Sequence, residues 1–444
     1  MSRSADRLLR RLAAHGIRYL YGTPAVGLLP LIDAMIDGPL HFVAAHSLRA
    51  AGFMALGEAR AARRPAVVLA EAGSAAADLA GPLWAAQKAG WPLVVRMAGG
   101  AAPGLFDLTK AVLEEEAVDA ALRRSAEPPP GAVVLQARAS DPRWNDGDTG
   151  AHNRALRHRH PETECSAPYS ASTPDRRVAH LMPEGGSAAS RGAGSPLSPM
   201  APPGALRPIL TALAADPPLR EADRPSRDPR GEASRAAAEL DSLAERLRGA
   251  PSFPPNPIHL LDLLRTQLGP DDILVHDRGV MRLWIGRYLD EGGMKDVIAP
   301  PAGSGAGWAI PGGLGVRLQS TAGRVIVLCG DAAFLMHHAE LETARRLGAH
   351  LIVIVVRNQS WGEVEARQQR TYGRTGFTRF RAPNFIKLSR PLGCQAQRLE
   401  RGDDLAALLR YASSVRDPVV IDCPVDTSAT AELLELGGDP CPAP

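Results

Sequence analysis

Residues 325–362 read VIVLCGDAAFLMHHAELETARRLGAHLIVIVVRNQSWG, and this stretch decides the fold. Val325 to Cys329 is a short, continuous apolar run, the pattern of a strand buried on both faces. It ends in Gly330-Asp331-Ala332-Ala333, and the pattern that follows predicts a helix from Phe334 to Leu347, stopped by Gly348. A second apolar run, Leu351 to Val356, delivers Arg357-Asn358-Gln359-Ser360-Trp361-Gly362. Strand, helix and strand in this order form a β-α-β unit, whose parallel strands end on the same edge of a sheet. Asp331 and Asn358 are therefore expected side by side, at the edge where open α/β sheets bind ligands.

A carboxylate, an amide oxygen and a nearby backbone carbonyl are hard oxygen ligands suited to Mg²⁺, which takes its remaining ligands from water and substrate phosphates. The backbone N–H groups of Ala332, Ala333 and Phe334 open a helix and favour a phosphate. The unit reads as a magnesium–diphosphate site. It also fits a plain strand–turn–helix in which Asp331 caps the helix.

Gly330-Asp331-Ala332 followed at β-α-β spacing by Asn358 resembles the thiamine-diphosphate signature of the acetolactate synthase superfamily. Asp277-Arg278-Gly279, Gly305-Ala306-Gly307-Trp308-Ala309-Ile310-Pro311, Glu340-Leu341, Tyr372-Gly373 and Pro383-Asn384-Phe385-Ile386-Lys387-Leu388 resemble that family's pyrophosphate-binding domain in order and spacing. The resemblance runs over about residues 256–432. It implies that Asp331, Asn358 and the Ser360 carbonyl hold Mg²⁺ and that Gly305 and Ala306 meet the aminopyrimidine. It further implies cofactor contacts at Gly279, Gly330, Ala332, Ala333 and Gly362.

Around this unit the composition sets bounds. The chain has 444 residues, enough for two or three domains, and a net charge of +3, so nothing points to nucleic acid or a membrane surface. Its five cysteines are scattered without a CxxC pair, which suggests neither a zinc site nor a disulfide framework. Cys329 and Cys423 lie in apolar strand patterns and are expected in the core. With no apolar signal region at the start and no run of 18 apolar residues, a cytoplasmic protein is expected.

Upstream, strands and helices alternate. Strands are expected at Ile17–Tyr21, His41–Ala45, Ala66–Ala70, Pro92–Arg96 and Ala132–Gln136, which means a parallel sheet covered on both faces. Gly22-Thr-Pro24, Leu29-Pro-Leu31, His46-Ser47, Gly73 to Asp78, Pro92 to Val95 and Asp107 to Lys110 resemble the family's pyrimidine-binding domain, with Pro24 and Gly73 implied as cofactor contacts. Two departures stand out. The family's glutamate after the histidine at the end of the second strand is Ser47 here, and the loop at Gly99–Gly104 looks shortened.

From about Pro142 to Arg235 the periodicity stops in a stretch rich in Pro, Arg, Ala, Ser and Gly, where burial returns too little to offset chain entropy. It reads as a linker, largely disordered, or as a decayed or out-of-frame stretch. The family's larger members have a central domain here that helps acetolactate synthases bind FAD. No strand followed by GxGxxG occurs, so FAD is not expected. His158, His160 and Cys165 lack paired metal spacing and read as a solvated surface.

The expected organisation is α/β: two doubly wound parallel-sheet thiamine diphosphate-binding domains, 1–141 and 251–432, joined by a long low-complexity linker, 142–250, with a tail, 433–444. The resemblance implies a lyase or transferase that uses thiamine diphosphate and Mg²⁺ to decarboxylate or ligate a 2-oxo acid. It also implies a homodimer or homotetramer, with the cofactor between the first domain of one subunit and the second of another. At the catalytic position His46 and Ser47 stand where the family has His-Glu. A serine hydroxyl exchanges protons far less readily than a carboxyl, which predicts a slow enzyme. His46 points away from its neighbour on an extended segment and is a poor substitute. Ala306 stands where the family has a bulky apolar residue, leaving a gap unless a neighbour such as Trp308 fills it. Two alternatives remain: a catalytically silent cofactor-binding relative, and a two-domain decarboxylase resembling those for phosphonopyruvate or sulfopyruvate.

Overall fold

The structure is a computed structural model, and it describes residues 3–98, 111–114, 118–128, 130–136, 229–250, 252–289, 296–320, 322–401 and 404–437. Most of the expected linker, the shortened loop at 99–104, the Asp107–Lys110 motif, His158, His160, Cys165 and the residues after 437 lie outside the described residues.

The N-terminal part carries strands β1 (Tyr19–Gly22), β2 (His41–Ala44), β3 (Ala66–Glu71), β4 (Leu93–Ala98), β5 (Ala111–Glu114) and β6 (Ala132–Gln136). Its helices are α1 (Arg3–Ala14), α2 (Leu29–Ile36), α3 (Leu48–Ala62), α4 (Ala80–Ala89) and α5 (Val118–Ala126). After α6 (Pro229–Arg248) and α7 (Pro257–Gln267) come β7 (Ile273–His276), α8 (Val280–Tyr288), β8 (Asp296–Ile298) and α9 (Ala309–Gln319). The central unit is β9 (Val325–Gly330), α10 (Asp331–His337), α11 (Glu340–Arg346), β10 (Ile352–Arg357) and α12 (Gly362–Tyr372). The chain closes with α13 (Phe385–Ser389), β11 (Gln395–Arg398), α14 (Asp404–Ser414), β12 (Val419–Pro424) and α15 (Thr430–Glu435).

The sheets run β2-β1-β3-β4-β6-β5 and β8-β7-β9-β10-β12-β11, parallel throughout. These are one topology twice over: strand six beyond each member of the first sheet holds the same place in the second. Each sheet reverses its winding between its first and third strands, which opens a crevice at the carboxyl ends. Strands β9 and β10 are buried up to their last residue, as their unbroken apolar runs require.

Three sequence expectations change. The single helix from Phe334 to Leu347 is two, α10 and α11, and the first begins at Asp331. Strands β5 and β8 were not expected; they are four and three residues long and lie at sheet edges. Trp308 does not line the cleft with Ala306: it is fully buried, donates from Nε1 to the His276 carbonyl at 2.9 Å, and lies against Trp91 at 5.8 Å.

The two sheets share a middle layer. Helices α3 and α9 cross there so closely that a Cβ on Gly57 would collide with the Gly312 carbonyl, and one on Gly315 with that of Met54. Their apolar faces join one core, Phe53 and Leu56 from one side with Ile310 and Leu314 from the other. Separate cores cover the outer face of each sheet. Polar contacts add to the seam: Arg60 pairs with Asp296, and Arg346 donates to the Ala44 carbonyl at 2.7 Å.

Candidate active site

A cleft of about 330 Å³ opens at the carboxyl ends of β7, β9 and β10. Gly279, Gly305, Ala306, Gly330, Asp331, Ala332, Ala333, Asn358, Ser360 and Gly362 all line it. Every cofactor or metal residue expected in the second half of the chain thus falls on one surface.

Asp331 is buried at the tip of β9, where its carboxylate holds the next loop. Oδ2 accepts from the Gln359 N–H at 2.6 Å and Oδ1 from the Ala332 N–H at 2.9 Å. Burial pushes this carboxyl up to about 6, while those N–H groups pull the other way. Gly330 caps α10 without a side-chain hydrogen bond, so Asp331 is the first helical residue and not its cap. One N–H expected to be free for phosphate, that of Ala332, is taken by Asp331 itself.

The Asn358 amide donates to Thr427 Oγ1 at 3.1 Å, which leaves Oδ1 on the other side, where the Ser360 N–H donates at 3.3 Å. Gly362 keeps this amide in place, because a Cβ there would run into Asn358 Nδ2. Ser360 Oγ donates to Glu365, which fixes the serine by its side chain.

Asp277 is a site residue that sequence reasoning quoted in a motif but assigned no role. Its buried carboxylate accepts from the N–H groups of Gly307 at 3.0 Å and Ala309 at 2.9 Å, and so fixes the loop that carries Gly305 and Ala306. Burial pushes it up to about 6, with three backbone N–H groups opposing. An acid directly after an apolar strand was the available signal.

The residues present fit a diphosphate cofactor and Mg²⁺ on two counts. A Cβ on Gly279, Gly305 or Gly330 would meet nothing within 4 Å, so three backbone positions offer open space in the wall. The donors are a carboxylate, an amide oxygen and a carbonyl, and among the described residues no group of three or more His, Cys, Asp and Glu could hold a metal. That set is short for a protein-only site and suits an ion that completes its shell on diphosphate and water.

Pro24, His46, Ser47 and Gly73 do not line the cleft. They follow β1, β2 and β3, at the carboxyl edge of the other sheet. Ser47 caps α3, its Oγ accepting from the Ala50 N–H at 3.1 Å. His46 is exposed; its Nε2 pairs with Glu342 at 2.9 Å and its N–H donates to buried Glu340 at 3.0 Å. Burial raises the Glu340 carboxyl, against hydrogen bonds from Thr343 and His46.

Comparison with known proteins agrees with this geometry. Residues 277–423 match the thiamine pyrophosphate enzyme C-terminal TPP binding domain, and residues 3–110 match the N-terminal TPP binding domain of the same enzymes. The chain is 29% identical over 187 residues to an acetolactate synthase of Bacillus subtilis (strain 168), covering 42% of this chain and 32% of that one. It is 28% identical over 174 residues to the catabolic acetolactate synthase of Raoultella terrigena, covering 39% and 31%. The chain thus spans about a third of the length of these curated relatives. A thiamine diphosphate-dependent 4-hydroxybenzoylformate decarboxylase of Rhodococcus jostii RHA1 shares the fold with a TM-score of 0.66 at 15% identity, over 96% of this chain and 99% of that one. Both of its cofactor-binding domains present, the chain belongs to the thiamine pyrophosphate enzyme family.

Proposed function

We propose that this protein is a thiamine diphosphate- and Mg²⁺-dependent enzyme that decarboxylates or ligates a 2-oxo acid, in the manner of acetolactate synthase. The observation that carries the reading is the convergence of the ten expected residues on one cleft, with Asp331 and Asn358 at adjacent strand ends. When bound, thiamine diphosphate supplies the carbon nucleophile and the electron sink for such chemistry. The chain's own tasks are to hold and orient it. Asp331, Asn358 Oδ1 and the Ser360 carbonyl would hold the metal, and the Ala333 N–H at the start of α10 would meet the diphosphate. Asp277 keeps the Gly305–Ala306 loop against the cleft, where it would meet the aminopyrimidine.

Among the described residues only the C-terminal half lines the cleft, and the Pro24, Ser47 and Gly73 edge is the natural cover for the cleft of a second copy. Apolar side chains exposed beside both surfaces, Trp361 and Val364 on one and Val26 and Leu29 on the other, support a homodimer. Ser47 is the weak point, since a hydroxyl that caps a helix is a poor proton exchanger. That same observation favours a second reading, a family member that binds its cofactor and turns over little.

The test is titration of the purified chain with thiamine diphosphate and Mg²⁺, followed by CO₂ release from a panel of 2-oxo acids. Tight binding with slow release is expected. Absence of magnesium-dependent binding ends both readings, and binding without release from any 2-oxo acid leaves the second.

A further inference from the structure

From 366 to 399 the sequence holds eight basic residues and no acidic one, in a chain whose net charge is only +3. The fold gathers part of this charge at one recess. Strands β10, β12 and β11 are neighbours in that order, and Arg357 and Arg398 are the last residues of the outer two. Between them, the fully buried Asp422 accepts from Arg357 Nε at 2.7 Å and from Arg398 Nε at 2.8 Å.

One carboxylate therefore fixes two guanidinium groups through their Nε atoms. The Nη groups of both have no hydrogen-bond partner among the described residues. Arg381 lines the same recess from the segment before α13, and it has neither an ion pair nor a hydrogen bond among the described residues. Gln359 and Asn384 complete the polar wall of a volume of about 340 Å³. Two acids flank the segment, Glu365 and Glu400; neither lines the recess, and Glu365 is engaged by Arg379 at 2.6 Å and by Ser360.

We propose that this recess is an anion site, separate from the cofactor cleft, that takes the phosphoryl group of a small molecule. Three guanidinium groups from three chain segments face one charge of opposite sign, so an anion of about two negative charges balances them. A carboxylate has two coplanar oxygens, which one arginine fork satisfies; three arginines and two amides suit the oxygens of a phosphoryl group. Arg357 and Arg398 are already held by Asp422, so their ordering adds little cost on binding. The volume exceeds that of a phosphate and leaves room for part of an organic carrier.

The experiment is calorimetric titration of the full chain with inorganic phosphate, and separately with adenosine diphosphate, at constant ionic strength. Each is run with and without saturating thiamine diphosphate and Mg²⁺. Saturable binding that persists with the cofactor present is expected. Arg381→Gln, at an exposed and unpartnered position, should weaken it roughly ten- to hundredfold, the loss expected for one charged hydrogen-bond donor. Tighter binding of the nucleotide identifies an organic carrier as the occupant, and equal binding identifies the free ion. Unchanged affinity in Arg381→Gln overturns the proposal, as does loss of phosphate binding once the cofactor is added, or acetate binding as tightly as phosphate. A chain that binds phosphate in this way but shows no heat with thiamine diphosphate would retain the recess while refuting the function proposed above.

Discussion

Ser47 meets two demands that compete. As the cap of α3 it satisfies a backbone N–H that would otherwise lack a partner, and Ser47→Ala should cost about 1 kcal/mol in urea unfolding. On the function proposed above, it would also limit proton exchange, because it stands in the family's glutamate position. Ser47→Glu should therefore speed hydrogen–deuterium exchange at the bound cofactor by up to about 10²–10⁴-fold while losing part of the cap. NMR after acid quench reads the exchange. Rapid exchange in the unaltered protein refutes Ser47 as the limit. At Asp331 the expectation is simpler. Asp331→Ala should abolish magnesium-dependent binding of thiamine diphosphate, because it removes the one charged ligand and frees the Gln359 loop. Calorimetry decides it, and unchanged affinity removes Asp331 from the site.

Among the elements, the crossing of α3 and α9 is the most sensitive to a single atom. Gly315→Ala places its Cβ against the Met54 carbonyl, and it should destabilise the protein by about 1–3 kcal/mol. Gly81→Ala is the contrast. Its Cβ meets nothing within 4 Å inside α4, so it should be neutral or stabilise by up to about 1 kcal/mol. Denaturant midpoints of the two variants check both signs. This level also marks how far the sequence could be read. Strands β9 and β10 were legible because burial on both faces leaves an unbroken apolar run, and with them came Asp331 and Asn358 at their ends. The break between α10 and α11 was not, since His338 and Ala339 interrupt neither the apolar spacing nor the charge pattern. Strand β8, Asp296–Ile298, is too short to show a period of two. Trp308 carries the same apolar signal whether it faces the cleft or the core, and only tertiary packing decides. The α3–α9 seam pairs residues more than 250 positions apart, beyond any local pattern.

For the whole molecule, the seam also contains a buried acid that should make stability depend on pH. Glu58 is fully buried between Arg64 at 3.0 Å and Gln319 at 2.9 Å. Burial pushes its carboxyl up to about 7, against the pull of the neighbouring Tyr21 hydroxyl and Arg64. The folded protein therefore holds a proton that the unfolded chain, with an ordinary carboxyl near 4.5, has released. Stability from this group is present below about 4.5 and is lost as pH rises to about 7, by at most about 3 kcal/mol. Urea unfolding across that window should show the decline, and Glu58→Gln should flatten it. A decline of equal size in Glu58→Gln assigns it to another group.

Pro24 and Asp331 sit on different surfaces of one chain, at the edges of two different sheets. If a working site takes one surface from each of two copies, damage to the two surfaces is separable by genetics in a tube. Asp331→Ala loses the metal end, and Pro24→Arg, at an exposed position, obstructs the other. Unfolded together and refolded as a mixture, the two inactive chains should assort into pairs, about half of them hybrids. Each hybrid joins the intact cleft of one chain to the intact cover of the other and carries both lesions in its second site. Bound thiamine diphosphate should then reappear in the mixture although neither parent retains any. A mixture as empty as its parents would place the whole site within a single chain.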